Sequence, residues 1–422
     1  MGEQGAGACA PRHHGGRMTA VQSGSACPSR PDLMFKLRHN RLERAHNIAD
    51  LRRLARKRLP APMFHYIDGA AGDEWTLRHN TRAFDQYELV PRYLVDVQEM
   101  DTSTTVLGQS IEWPVVCAPT GMSRLFHHEG ELAVARAAAR SGTLYSLSSL
   151  SSVSIEDVAA ASDGPKMFQV YVFRDRELNK ELIRRSRDAG YVALCLTVDV
   201  PVPGNRERDV RTGMTIPPAL TLMSLLDIAR HPRWAWHMVT GKPVVLANVA
   251  HKIAEGSSNV STLAQYIHSQ FDPTVTWQDA AWMIQEWGGP FAIKGLLTAA
   301  DAKHAVEIGA STVIVSNHGG RQLDGVPAPI EVVAEIIDAV GDRAEIILDG
   351  GVRRGGHVLK ALALGARACM VGRPYLYGLG AAGEAGVSRA LEILRTEFTR
   401  DMALLGCRSI EEIRPSCVRR WQ

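Results

Sequence analysis

The stretch "TVIVSNHGGRQLDG", Thr312 to Gly325, starts as an unbroken apolar run and turns polar at once, with an imidazole, two glycines and a guanidinium in consecutive positions. A strand with one wet face would alternate. A short apolar run closed by a glycine corner is what a strand buried on both faces requires. The same signature recurs as "PVVCAP" near 117, "TLYSLSS" near 146, "MFQVY" near 169, "VALCLTVD" near 196, "FAIKG" near 293, "EIILDG" near 347 and "ACMVGR" near 370. Helical patterns such as "EGELAVARAAARSG", "DRELNKELIRRSRDAG", "AADAKHAVEIGA" and "GGHVLKALALGA" alternate with these runs. Eight βα units predict an α/β fold of the (β/α)8 (TIM) barrel type. An open doubly wound sheet is the competing architecture, but it calls for a GxGxxG turn after an early strand, and no early run is followed by one.

Around this repeat, residues 1–43 are rich in Gly, Ser, Pro and basic residues without periodicity and read as a disordered leader, within which Met18 or Met34 is an alternative start. The adjacent His13 and His14 there are not expected to hold a metal, and no metal is expected elsewhere. The barrel domain is expected over 44–412, starting near "NIADLRRLARKRL" with Asn47 as helix cap, and 413–422 read as a C-terminal tail. Between the fourth and fifth strands the interval lengthens by about 80 residues, an insertion at 210–289. With 45% apolar and 22% charged residues and a formal charge of +3, the composition suits a soluble-type core and gives no case for a nucleic-acid partner. Seven scattered cysteines without a CxxC pair favour a reducing compartment, and a cytoplasmic location is expected, since neither a spanning run nor a signal-peptide core is present.

In a barrel all strand C-termini meet at one mouth, so what ends each run matters. In chain order these ends are Pro119-Thr120-Gly121, Ser148, Gln169 with Tyr171, Thr197 with Asp199, Lys294, Ser316 to Arg321, Asp349 to Arg353, and Gly372-Arg373. After strands seven and eight, "DGGVRRGG" and "GRP" present glycine N–H groups, including that of Gly351, and the guanidiniums of Arg353 and Arg373, which suit a phosphate of either substrate or cofactor. Ser148, Gln169 and Thr197 add hydroxyl and amide groups for a planar heterocycle, and a cationic Lys294 beside it would stabilise negative charge gathered on reduction. FMN fits this set better than a sugar phosphate. His318 is then placed to act as a base, Asp199 to hold its imidazole, Arg206 and Arg321 to grip a carboxylate, and Tyr66 and Tyr171 to add phenolic donors.

Taken together, "SNHGGRQLDG", "LTVDVPVPGNRERD", "AIKG", "LDGGVRRG", "ALALGA" and "YIDGAAGDEWTLRHN" resemble the FMN-dependent α-hydroxy acid dehydrogenase/oxidase family from about Asn47 to Glu412. "IPPALTL", "HPRW" and "FDPTVTW" are most similar to its membrane-associated bacterial L-lactate and (S)-mandelate dehydrogenases. The resemblance implies oxidation of an L-2-hydroxy acid, lactate before mandelate, to the 2-oxo acid. In it His318 is the catalytic base with Asp199 as partner, Arg206 and Arg321 bind the carboxylate, Tyr66 and Tyr171 are active-site tyrosines, and Lys294 lies near the flavin ring. Arg353, Gly372 and Arg373 hold the FMN phosphate, while Thr120, Ser148, Gln169, Thr197, Ser316 and Asp349 contact the ring or ribityl chain. Whether the base takes the hydroxyl proton or the α-proton stays open.

Gly121 stands where many oxidases of the family carry alanine, which favours an acceptor other than oxygen, and Leu150 replaces the tryptophan of glycolate oxidases. The insertion segment "PPALTLMSLLDIARHPRWAWHMV" places Trp234 and Trp236 beside Arg230, His231 and Arg233, a composition suited to a lipid headgroup region. A peripheral enzyme on the inner face of the cell membrane, passing electrons to a quinone and assembled as a homotetramer, is the resulting expectation. The alternatives are a same-family oxidase that makes hydrogen peroxide and a non-catalytic flavin-binding membrane scaffold.

Overall fold

The computed structural model describes residues 42–214, 221–252 and 269–421. The leader read over 1–43 lies outside them except for its last two residues, as do 215–220 and 253–268 of the insertion. Eight parallel strands close into one barrel: β1 (Val115–Cys117), β2 (Tyr145–Ser148), β3 (Lys166–Val170), β4 (Ala193–Thr197), β5 (Phe291–Leu296), β6 (Thr312–Ser316), β7 (Glu345–Asp349) and β8 (Ala368–Val371). They pair in chain order, and β8 returns to β1 with Met370 opposite Val116. Every residue of β2, β3, β4 and β6 is buried. Helices cover the outer faces and side chains fill the inside, so neither face can carry a polar alternation.

The outer helices are α1 (Glu131–Arg140), α2 (Ile155–Ala160), α3 (Arg176–Asp188), α4 (Trp277–Trp287), α5 (Ala299–Glu307), α6 (Pro329–Val340), α7 (Gly355–Ala363) and α8 (Arg373–Ala382), followed by a long α9 (Glu384–Leu405). Their starts are written in the sequence. Side-chain oxygens of Ser154, Asp175 and Thr298 accept the backbone N–H three residues on, supplying partners that the first turn of a helix lacks.

One end of the barrel is closed. An antiparallel hairpin, Thr104–Val106 with Gln109–Ile111, packs Val106, Leu107 and Ile111 against the interior residues Met167, Cys195 and Ile314. The Leu107 N–H donates to Glu345, the first residue of β7, at 2.8 Å, which fixes the plug at the strands' N-terminal end. The chemistry is left to the opposite mouth.

Two expected boundaries shift. The end of the proposed insertion is α4 itself, the regular helix before β5, so the described inserted elements are the helices Leu222–Ala229 and Pro232–Thr240 and the short turn Ala250–Lys252. Residues 413–422, read as a tail, instead hold a turn at Pro415–Cys417 and a strand Val418–Arg420 that pairs antiparallel with Tyr87–Leu89. A three-residue strand with exposed Arg419 and Arg420 has no apolar pattern to reveal it.

Candidate active site

Loops after the strands and the helix Ala61–Asp68 surround a cavity of about 540 Å³ at the C-terminal mouth, a size typical of small-molecule sites. Tyr66, Pro119, Thr120, Gly121, Ser148, Tyr171, Arg206, Lys294, His318, Arg321, Asp349, Gly351, Arg353, Gly372 and Arg373 all line it. Asp199 stands behind His318. Gln169 and Ser316 are buried beneath the floor, and Thr197 faces a smaller cavity of about 190 Å³ that shares Tyr171, Val200 and Phe271 with the main one.

The imidazole is held by its partner and by its own backbone. His318 Nδ1 and Asp199 Oδ1 are 2.8 Å apart, so an ionised Asp199 accepts from Nδ1–H and leaves the Nε2 lone pair as the basic site. Burial pushes the Asp199 carboxyl up, but His318 and Lys294 outweigh it and hold the carboxyl below its ordinary value. His318 has φ 55, followed by Gly319 at 64 and Gly320 at 75, three left-handed residues in a row. At Gly320 a Cβ would lie 2.8 Å from Leu77 N, so the close packing of this corner admits no side chain there.

Beneath the imidazole lies a dense polar knot. Ser316 Oγ donates to Asp349 Oδ2 at 2.7 Å and accepts from Lys294 Nζ at 2.9 Å and from the His318 N–H at 3.0 Å. Lys294 Nζ also meets Asp349 Oδ2 at 2.7 Å. Burial works against the Lys294 charge, yet Asp349 and Asp199 more than offset it and the ammonium is retained. Gly295 makes the approach of Asp199 to β5 possible, because a Cβ there would come within 2.7 Å of the Asp199 Cβ.

Opposite this knot, two guanidiniums lie over one phenol ring. Arg321 and Arg206 place their central carbons 5.1 and 5.5 Å from the Tyr66 ring centre. Burial, then repulsion from Arg206, pushes Arg321 down to about 10. An anion between them would relieve both terms. Arg321 Nη1 is fixed by the carbonyls of Tyr66 and Gly69 at 2.7 and 3.2 Å. Burial also raises the Tyr171 phenol, which remains a neutral donor.

The helix that carries Tyr66 is anchored by ions. Asp68 accepts from Arg52 Nη2, Arg208 Nη1 and Tyr377 OH, each at 2.8 Å. Burial opposes the Asp68 charge, but these donors hold its carboxyl well below the ordinary 3.8. Because the folded value is depressed, this stabilisation is complete above the ordinary value and disappears as pH falls towards the folded one. Asp68→Asn is expected to cost roughly 2–3 kcal/mol, less than the 3–5 of a fully buried pair, because Arg52 remains 44% exposed. Denaturant titrations from neutral to acid pH check this: the gap between the two proteins should narrow in acid.

FMN can be tested against the residues themselves. Gln169 Nε2 and Thr197 Oγ1 are buried without a hydrogen-bond partner among the described residues, although Ser148 Oγ already donates to Gln169 Oε1 at 3.0 Å. Arg353 is half-buried, its charge disfavoured by desolvation, and its guanidinium donates to its neighbour's carbonyl, Val352 O, at 2.7 Å. Gly351 has φ 79, and a Cβ there would lie 2.0 Å from Asn80 O. Orphaned donors for a heterocycle and a half-buried cation beside a glycine corner fit a ring and a phosphate. Arg373 is more constrained than its sequence position suggested: its Nε, Nη1 and Nη2 donate to Ile67 O, Gly319 O and Gly69 O at 3.0, 2.9 and 2.8 Å. It lines the cavity and also ties the Tyr66 helix to the His318 corner.

The apolar roof was not foreseen. Met122, Leu125, Phe126, Trp234, Met238, Leu246 and Phe271 line the cavity. Trp234, expected at a headgroup surface, turns inward, its Nε1 donating to Leu125 O at 2.8 Å. Trp236 is 66% exposed, as expected. Two tryptophans two residues apart on a helix face different ways, a signal available from spacing alone. The rim also holds a group absent from the sequence reading: His127, His128 and Glu129 bring ligand atoms within 4.8 Å of one another, with Arg136 paired to Glu129.

A parallel barrel with an imidazole–carboxylate pair, a buried lysine and paired guanidiniums at its mouth belongs to the class of flavin-type barrel oxidoreductases. The chain is a member of the FMN-dependent dehydrogenase family, whose profile matches residues 55–420. It is 44% identical over 382 residues to a Mycobacterium tuberculosis protein named "Putative L-lactate dehydrogenase", covering 90% of this chain and 91% of that one. Spinacia oleracea glycolate oxidase is 41% identical, with 87% and 94% covered. The crystal structure of the monotopic membrane protein (S)-mandelate dehydrogenase superimposes with a TM-score of 0.85 at 38% identity, covering 89% of this chain and all of that one. The protein is therefore an FMN-dependent 2-hydroxy acid oxidoreductase.

Proposed function

We propose that the protein oxidises an L-2-hydroxy acid with an apolar side chain, in the range from lactate to mandelate, and delivers the electrons to a membrane quinone. The observation that carries the substrate reading is the pair Arg206 and Arg321 over Tyr66, facing the same cavity as His318. The arginines bind the substrate carboxylate, and Tyr66 and Tyr171 donate to its oxygens. His318 Nε2 takes a proton from the substrate, and Asp199 stabilises the imidazolium that results. FMN supplies the two-electron acceptor. Lys294 would offset negative charge at the ring, while Pro119, Thr120, Gly121, Ser148, Gln169, Thr197, Ser316 and Asp349 would bound the ring and ribityl chain. Gly351, Arg353, Gly372 and Arg373 would receive the phosphate. The apolar roof excludes water and accepts the substrate side chain.

Anaerobic bleaching of the bound flavin by a panel of L- and D-2-hydroxy acids, followed by admission of air, tests this directly. L-lactate or (S)-mandelate should bleach the yellow colour and their D-counterparts should not, with slow return in air. Fast return with peroxide release would favour the oxidase reading, which the glycolate oxidase relatives support. A flavin that stays yellow with every acid would overturn the catalytic reading in favour of a scaffold.

Membrane association rests on the inserted helices. Among the described residues no helix is long and apolar enough to cross a membrane. Leu222, Met223, Leu225 and Leu226 are 73, 68, 50 and 48% exposed, with Trp236 and Val239 also exposed nearby in sequence. Contiguous exposed apolar side chains beside Arg230 and Arg233 suit a monotopic contact on the inner face of the cell membrane. The homotetramer belongs to the same reading. Deleting the segment would also remove Trp234 and Leu246 from the roof. Replacing Leu222, Met223 and Leu226 with glutamine is the cleaner test: the enzyme should leave sedimented membranes while keeping its dye-coupled turnover.

A further inference from the structure

Far from the cavity, two cysteines meet. Cys407 follows α9, and Cys417 ends the turn that leads into the strand Val418–Arg420. Both are buried, their sulfurs 3.9 Å apart. Both sulfurs approach the same carbonyl, Glu412 O, at 3.5 and 3.7 Å. Arg92 Nη2 lies 3.6 Å from Cys407 Sγ and 3.0 Å from Glu412 Oε2. The other described cysteines, Cys117, Cys195 and Cys369, are free thiols within β1, β4 and β8. We propose that Cys407 and Cys417 form a reversible dithiol/disulfide site, oxidised by a peroxide, whose closed form fastens the C-terminal strand to the end of α9.

The chemistry balances with hydrogen peroxide as oxidant. One thiolate attacks a peroxide oxygen, the O–O bond breaks, and the hydroxide that leaves takes up the proton the thiol released, giving a sulfenic acid and water. The second sulfur then attacks the sulfenic sulfur, the S–S bond forms, the S–O bond breaks and the oxygen leaves as a second water. Two thiols are oxidised and one peroxide is reduced. Arg92 favours the thiolate on Cys407, although burial and the neighbouring thiol dominate and push Cys407 up to about 11. Bond formation brings the sulfurs to about 2.05 Å, within reach of side-chain rotation from their present separation.

The site has a structural consequence. The Val90 N–H donates to Cys417 O at 2.9 Å and the Arg92 N–H to Leu405 O at 3.0 Å, so the segment carrying Arg92 bridges both cysteine-bearing ends. The strand Tyr87–Leu89 and the turn Pro415–Cys417 both pack against α7, the helix that follows Arg353. A covalent link between positions 407 and 417 restricts the unfolded chain and holds this buttress in place.

The test uses the reduced, full-length flavoprotein exposed to hydrogen peroxide while folded, then denatured, alkylated and digested with trypsin without reductant. Trypsin cuts after Arg400, Arg408 and Arg419 and spares Arg414 before Pro415, so the cysteines fall in the peptides 401–408 and 409–419. The expected result is a cross-linked pair of these peptides that a thiol reductant separates and that Cys417→Ser abolishes. The unfolding midpoint should rise on oxidation of the wild type and stay put in Cys417→Ser. Recovery of both peptides alkylated after peroxide, or linkage of Cys407 to Cys9 or Cys27 instead, overturns the site. A cross-link without a rise in midpoint overturns the fastening.

Discussion

Replacing His318 with glutamine is expected to leave FMN bound and to slow flavin reduction by the hydroxy acid about a hundred- to ten-thousandfold, the usual contribution of a positioned base. The change leaves Arg206 and Arg321, the proposed carboxylate grip, untouched, so KM should move far less than kcat. Glutamine keeps the side chain's bulk and polarity but has no lone pair basic enough to take the proton. Anaerobic rapid mixing measures the reduction rate. A His318→Gln protein that reduces its flavin at the wild-type rate would remove the base from the proposal.

The second large effect is expected at Lys294. Its ammonium is buried against Asp349, with side-chain exposures of 5 and 12%, and Ser316 joins both. Lys294→Met leaves the Asp349 carboxylate buried beside apolar carbon, and breaking a buried pair from one side costs about 3–5 kcal/mol. Flavin reduction should fall as well, by about a hundred- to a thousandfold, as when a preorganised charge-stabilising donor is removed. The double variant Lys294→Met/Asp349→Asn separates the two consequences. It should recover part of the stability, since no unpaired charge remains, and none of the rate. Denaturant unfolding together with single-turnover reduction reads both, and equal recovery of the two would show that Lys294 acts only through the fold.

The barrel was legible because its physics is repetitive. Strands buried on both faces must be apolar throughout, so each run announced itself, and the polar residue ending each run marked the mouth. The residues lining the cavity were legible for the same reason: Lys294 and Asp349 are the first polar groups after short apolar stretches, and Ser316 opens the polar segment that carries His318. Details that depend on three-dimensional company were not. Nothing local to Arg373 says that its donors meet carbonyls of Ile67, Gly69 and Gly319. Nor does the sequence near Thr197 say that it faces a side chamber. The inward turn of Trp234 was obscured by composition, because basic neighbours suggested a headgroup surface for the whole segment when helical spacing splits it into two faces. The short terminal strand was invisible because its partner, Tyr87–Leu89, lies over 300 residues away in the chain.

The left-handed backbone at His318 narrows the alphabet of that position before any chemistry is asked of it. Its φ of 55 is reached cheaply by glycine, asparagine and aspartate, and at a penalty by branched residues. A random codon library there would be depleted of valine, isoleucine and threonine among folded clones whether or not they were screened for turnover. Inactivity of such clones would report on geometry rather than on proton transfer.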